Sequence, residues 1–247
     1  MQSIRWRQIS KPTFNKLHSP LRILGLPLYR LILRPLELIN ARVIEYAEKY
    51  SSQEDALLQE IAAYTYAHHK HAHMLSGHLQ GQVLSMISKI LHPFRILEIG
   101  TFTGYSTLCL AKGLQEDGLI HTMEIREEDA AYALKQFSKS EYQNRIRMHV
   151  GNALEILPGL EEEWDLVFID ADKPAYIQYY EMVLPRLKKG GVVLADNVLF
   201  HGQVLEENVS GKNAKAIHEF NHHVALDERV EKVMLTIRDG VFMIRKK

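Results

Sequence analysis

The stretch LEIGTFTGYS, residues 97–106, decides how the chain is read. A short apolar run ends at Gly100, a turn follows, and STLCLAKGL continues as a helix-forming segment. A dinucleotide fingerprint would place glycines in a G-x-G-x-x-G pattern. Counted from Gly100, its second and third positions hold Phe102 and Tyr105. The second glycine lets backbone approach a pyrophosphate, and a phenylalanine there obstructs it, so NAD is disfavoured. The spacing is instead E-x-G-x-x-x-G, with Glu98, Gly100 and Gly104. It suits a nucleoside ligand without phosphates but with a charged amino-acid tail.

Outward from this loop the chain alternates. Before it, 40–52, 52–69 and 79–92 read as helices, the second with Ser52 as its N-cap. After it, IHTMEI (120–125), IRMHVG (146–151), WDLVFID (164–170) and GGVVLADNV (190–198) read as strands, with helical stretches between most of them. Two last strand-like runs, VEKVMLTIR and GVFMIRKK, are joined by Asp239-Gly240, a hairpin signal. Strands alternating with helices imply an α/β fold, a mostly parallel sheet covered by helices on both faces, with at least one antiparallel strand from the final hairpin. The reading is one domain over 40–247 with a helical lead-in (40–92), preceded by an extension at 1–39.

Composition narrows the function classes. The 247 residues carry zero formal net charge, so there is no global pull toward nucleic acid. The single cysteine, Cys109, excludes an internal disulfide and a thiolate zinc cluster and fits a reducing, cytoplasmic setting. Residues 1–36 hold seven basic side chains and no acidic one. The longest uncharged run in 21–39 is seven residues, against the roughly 20 that cross a bilayer. No transmembrane segment is expected, although residues 1–36 could lie on an anionic membrane or reach phosphates.

In a parallel sheet, ligands bind beyond the C-terminal strand ends. The second strand ends near Glu124, placed to accept both hydroxyls of a ribose. The third ends in Gly151-Asn152-Ala153, where a nucleobase edge could meet backbone and Asn152. The fourth ends FIDADK (168–173) and the fifth LADN (194–197). Adjacent strand ends lie close, so Asp170, Asp196 and Asn197 can converge. Oxygen donors without sulfur or imidazole select a hard cation: Mg²⁺ first, Mn²⁺ or Ca²⁺ as alternatives.

With these motifs in hand, residues 40–247 resemble the cation-dependent O-methyltransferases of the caffeoyl-CoA and catechol type. These are class I S-adenosylmethionine (SAM) enzymes with a Rossmann-like, seven-stranded sheet. The matching stretches are HMLSGHLQGQ, LEIGTFTGYS, FIDADK, GGVVLADNVLFHG and RDGVFMIRK. The resemblance implies that Asp170, Asp196 and Asn197 hold the metal. It implies that Ser76, Glu98, Gly100, Thr101, Ser106, Glu124, Ala153 and Asp172 line the SAM site. Lys173 falls where the catechol branch has its proposed general base. Phe200 stands where many bacterial-type relatives carry tryptophan, and His201 follows it near the expected acceptor pocket. The coenzyme A contacts of the plant-type enzymes have no counterpart located here. Family members are commonly homodimers.

SAM carries a sulfonium and an ammonium, which carboxylates at Glu98 and Asp172 would match. A phenol is a poor nucleophile until deprotonated, so a cation chelated by two vicinal hydroxyls explains the oxygen cluster. Lys173 would take the proton, or stabilise the phenolate if it stays charged. The acceptor expected is a phenolic or catechol-like small molecule. The alternative is a hydroxylated RNA base, with the basic N-terminus contacting phosphates. The histidine run AHHKHAHMLSGH (67–78) lacks the H-E-x-x-H pattern of a metalloprotease. His69 and His73 would share a face if the helix continued, but the expectation is that most of these side chains face solvent or pack a loop.

Overall fold

The structure, a computed structural model, describes residues 39–247. The basic extension, with the membrane or phosphate contact expected of residues 1–36, lies outside them. Strands β1 (Arg95–Ile99), β2 (Leu119–Glu124), β3 (Ile146–Val150), β4 (Trp164–Ile169), β5 (Leu187–Asp196), β6 (Val230–Leu235) and β7 (Val241–Lys246) form one sheet. Their order is β3-β2-β1-β4-β5-β7-β6. β1 to β5 are parallel, and β7 runs antiparallel to both its neighbours. The chain winds from β1 out to β3, then returns to place β4 against β1. The order therefore reverses between β1 and β4, which opens a crevice at their C-terminal ends.

The helices are α1 (Ala41–Lys49), α2 (Ala56–His68), α3 (Gly77–Leu91), α4 (Tyr105–Ala111), α5 (Glu127–Phe137), α6 (Ala153–Ile156), α7 (Tyr176–Val183) and α8 (Lys212–Leu226). Alternate residues of the central strands feed two cores, as a two-residue period requires. Leu97, Ile99, Val167, Ile169 and Val193 pack with Tyr176, Tyr180 and Phe220 of α7 and α8. Ile96, Leu166, Phe168 and Leu194 pack with Leu58, Ile61, Leu84 and Leu108 of α2, α3 and α4. Each fully buried aliphatic or aromatic side chain contributes about 1.5–3 kcal/mol, so the sheet is fixed from both sides.

Several boundaries differ from the expectation for identifiable reasons. Asp55, not Ser52, caps α2, its Oδ1 accepting the Leu58 N–H at 2.9 Å. α2 stops at His68, so His69 and His73 do not share a helical face. α7 ends at Val183 because Pro185 supplies no N–H, and β5 begins three residues before Gly190, at Leu187. The final hairpin closes through residues 236–240, with Leu235 paired to Val241 across its base, rather than through a two-residue turn. Among the described residues no helix is long and apolar enough to cross a membrane.

Candidate active site

The crevice between β1 and β4 is closed by the loop that follows β1. Gly100 has φ +106°, and a Cβ there would lie 2.0 Å from the Asp170 carbonyl oxygen. Only glycine permits β4 to end so close. The Gly100 and Thr101 N–H groups both donate to the Met123 carbonyl at 3.0 Å, which ties the loop to β2. Gly104, at φ +88°, opens α4 with the Phe137 ring 2.6 Å from where its Cβ would be. Its smallness serves α5 packing, and it does not line the cavity described next.

A cavity of about 330 Å³ lies over the ends of β1, β2, β3 and β4. Of the expected cofactor residues, Ser76, Gly100, Thr101, Ser106, Glu124, Ala153 and Asp172 line it, as do Asn152 and Asp170. Glu124 is held by backbone: Oε2 accepts from the Phe102 N–H at 2.7 Å and Oε1 from the Arg126 N–H at 2.9 Å. Each oxygen keeps a second lone pair for a diol. Phe102 adopts φ +52°, which turns its N–H onto Glu124.

Glu98 is placed differently from the rest. It is fully buried and outside the cavity wall. Its Oε2 accepts from the Thr107 hydroxyl and from the Thr122 hydroxyl at 2.6 Å, while Oε1 has no hydrogen-bond partner. Burial pushes its pKa up to about 7, against the pull of Ser106, Thr107 and Thr122.

At the ends of β4 and β5 the oxygen donors converge on Lys173. Its Nζ donates to Asp170 Oδ1 at 2.9 Å, to Asn197 Oδ1 at 2.7 Å and to the Tyr176 hydroxyl at 2.8 Å. Tyr176 in turn donates to the Asp196 carbonyl at 3.0 Å. Burial alone would lower the Lys173 pKa, but the Asp170 charge and then Tyr176 outweigh it and raise it above its ordinary value. These partners favour the ammonium form of Lys173 in this arrangement. Asp196 is buried, its Oδ1 without a hydrogen-bond partner, and burial with the nearby Asp170 charge pushes its pKa up to about 6. Gln80 lies close enough to favour the charged form, although its Nε2 completes no well-formed bond. Among the described residues no three His, Cys, Asp or Glu side chains group as an ion site. The candidate set is two carboxylates and one amide. An orphaned buried carboxylate oxygen beside two further hard oxygens fits a hard cation.

Phe200 and His201 lie apart from the cavity wall. The His201 side chain is 71% exposed, so it is turned to solvent rather than into a pocket. Of the histidine run, His69 is the structurally engaged member. Its Nδ1 accepts the His71 N–H at 3.0 Å, which leaves the proton on Nε2, 3.0 Å from Asp129 Oδ1. His68 meets the Tyr64 carbonyl and stacks on the Tyr64 ring, and His78 meets the Ser52 carbonyl. Sequence reasoning missed Tyr176 and Gln80, and also Arg126, which lines the cavity with its Nε 2.6 Å from Asp129 Oδ2. Tyr176, three residues after Lys173, had a legible spacing, whereas Gln80 reaches Asp196 only through the tertiary fold.

Comparison with known proteins places this geometry. A family model described as O-methyltransferase matches residues 48–247. A probable caffeoyl-CoA O-methyltransferase of Dictyostelium discoideum is 32% identical over 213 residues, covering 84% of this chain and 93% of that protein. A catechol O-methyltransferase of Niastella koreensis is 34% identical over 160 residues, covering 63% of this chain and 72% of that protein. The crystal structure of an SAH-bound methyltransferase from Podospora anserina aligns with a TM-score of 0.78 at 29% identity, covering 92% of this chain and 99% of that one.

Proposed function

The chain belongs to the O-methyltransferase family, and from that membership we propose that it transfers a methyl group from SAM to a hydroxyl of a catechol-like small molecule, aided by a divalent cation. One observation carries the reading: Asp170 belongs to both halves of the site. It lines the nucleoside-sized cavity and also stands in the oxygen cluster at the ends of β4 and β5. A methyl donor in the first and a chelated diol in the second would therefore meet at one residue.

The roles of the side chains follow from chemistry. Glu124 accepts the ribose hydroxyls, with Asn152 and Ala153 at the nucleobase edge. Ser76, Thr101, Ser106 and Asp172 would hold the amino-acid tail, with Glu98 buried beneath the loop, behind them. Asp170, Asp196 and Asn197 would hold the cation. When bound, SAM supplies an electrophilic methyl group and the cation lowers the pKa of the acceptor hydroxyls. Lys173 contributes its positive charge to a developing phenolate. With Asp170 given to the cation, Lys173 is also free to take the acceptor proton. Fixing donor and acceptor in line supplies much of the acceleration. Phe200 offers an apolar surface on the acceptor side.

The test is SAM turnover to S-adenosylhomocysteine (SAH) with a panel of catechols, caffeate and its coenzyme A ester among them, in Mg²⁺ and in EDTA. Turnover abolished by EDTA is the expected result. SAM binding with no turnover on any catechol would redirect the reading to a hydroxylated RNA base, and absence of SAM binding would overturn it.

A further inference from the structure

The connection between β6 and β7 touches both sides of the site. Arg238, at φ +49°, sends Nη1 to the carbonyls of Leu75 (2.9 Å) and Ser76 and to Gln80 Oε1 at 3.0 Å. Leu75 and Ser76 line the cavity. The residue that follows holds the other side. The Asp239 carbonyl accepts the Leu199 N–H at 2.9 Å, and Asp239 Oδ1 accepts the His201 N–H at 2.5 Å. The Gly240 carbonyl accepts the Val198 N–H at 3.1 Å. The segment so gripped is strained: Asn197, Phe200 and His201 have φ of +56°, +44° and +54°. Non-glycine residues stay in that region only where surrounding contacts hold them.

The placement of Arg238 is not explained by helix stability. Leu75 and Ser76 directly precede α3, and a cation at a helix N-terminus opposes the helix dipole. Its acceptors are two main-chain carbonyls and an amide oxygen, charge-assisted bonds that fix a wall without neutralising a carboxylate.

We propose that Arg238 is a positioning residue that couples the cofactor-side wall at Leu75–Ser76 to the acceptor-side segment 198–201 through its neighbour Asp239. The proposal rests on the cofactor reading above. When the cavity fills, the wall carrying Leu75 and Ser76 is held still, Arg238 is held with it, and Asp239 then fixes the backbone of Leu199 and His201. Filling the cavity thereby shapes the segment 198–201, which does not line it.

The experiment uses the full chain with SAH as the probe. Calorimetry gives the affinity, and hydrogen exchange follows residues 74–80 and 198–203. In the unaltered protein, SAH is expected to slow exchange in both segments. Arg238→Gln is expected to weaken SAH binding about tenfold, as loss of charge-assisted bonds would. At saturating SAH it should still show slowing at 74–80 but none at 198–203. Arg238→Lys should recover part of the affinity. Asp239→Ala should keep SAH affinity within about twofold, since it leaves the Arg238 bonds intact, yet lose the slowing at His201, whose N–H is the one that the Asp239 side chain accepts. If Arg238→Gln fails to fold, Arg238→Lys and Asp239→Ala decide the matter alone. Slowing at 198–203 that survives in Arg238→Gln, slowing at His201 that survives in Asp239→Ala, or no slowing at 198–203 in the unaltered protein that binds SAH, overturns the coupling. Failure of the unaltered protein to bind SAH overturns the cofactor reading itself and the coupling with it.

Discussion

Glu98→Gln isolates the electrostatic cost stored under the glycine loop. Glu98 is fully buried, and burial raises its carboxyl from an ordinary 4.5 to about 7. The folded state therefore holds the proton more tightly than the unfolded chain. Between these two values the folded state binds more protons, so stability falls as pH rises through the window. Below about 4.5 both states are protonated and the penalty vanishes. Above about 7 it is complete. At about 1.36 kcal/mol per pH unit, the interval amounts to about 3 kcal/mol. Glutamine keeps a carbonyl oxygen for the Thr107 and Thr122 hydroxyls but cannot ionise. The assay is urea unfolding followed by tryptophan fluorescence at closely spaced pH values from 4.5 to 8. The Glu98→Gln protein should gain on the unaltered one across that range, by about 3 kcal/mol at its upper end. Curves that run parallel would refute the argument, because they would mean that Glu98 titrates alike in both states.

Three further outcomes follow from the same geometry. Gly100→Ala places a Cβ 2.0 Å from the Asp170 carbonyl at φ +106°; about 3 kcal/mol is lost and calorimetric Tm falls by about 10 °C. Lys173→Met removes the ammonium from Asp170 and Asn197; turnover should drop at least about 100-fold while Mg²⁺ affinity measured by titration rises, and an unchanged affinity would argue that the ion does not share those oxygens. Cys109 is buried and its thiol is pushed up by burial; a disulfide reagent should label it promptly in guanidinium and slowly in native buffer, and prompt native labelling would contradict that burial.

The readable part of the fold was its periodicity. The segments RILEIG and WDLVFID became β1 and β4 because short apolar runs bounded by turns have few other ways to be buried. The errors fell at boundaries set by single contacts. The start of α2 moved from Ser52 to Asp55 because it is the Asp55 carboxylate that meets the Leu58 N–H. The hairpin at 236–240 was lengthened because Arg238 and Asp239 are engaged elsewhere in the molecule. Asp-Gly signals a reversal but not the partners that stretch it.

The sequence by itself determined the kind of site. Gly100, Glu124, Asp170, Asp196 and Asn197 sit at strand ends because the apolar runs before them must be strands, and strand ends in a parallel sheet share one edge. Their residue types carry the proposal of a nucleoside and a hard cation as ligands. Only the tertiary structure decided how each group is held. It buried Glu98 beneath the loop, made Lys173 a bound ammonium among its neighbours, and turned His201 outward. It also brought Arg238 to Ser76, 162 residues away in the chain. The physical reason is range: burial and turn propensity act over a few residues and leave a period in the sequence. Charge state and hydrogen-bond partnership are set by whichever groups the folded chain packs alongside, and no local pattern records them.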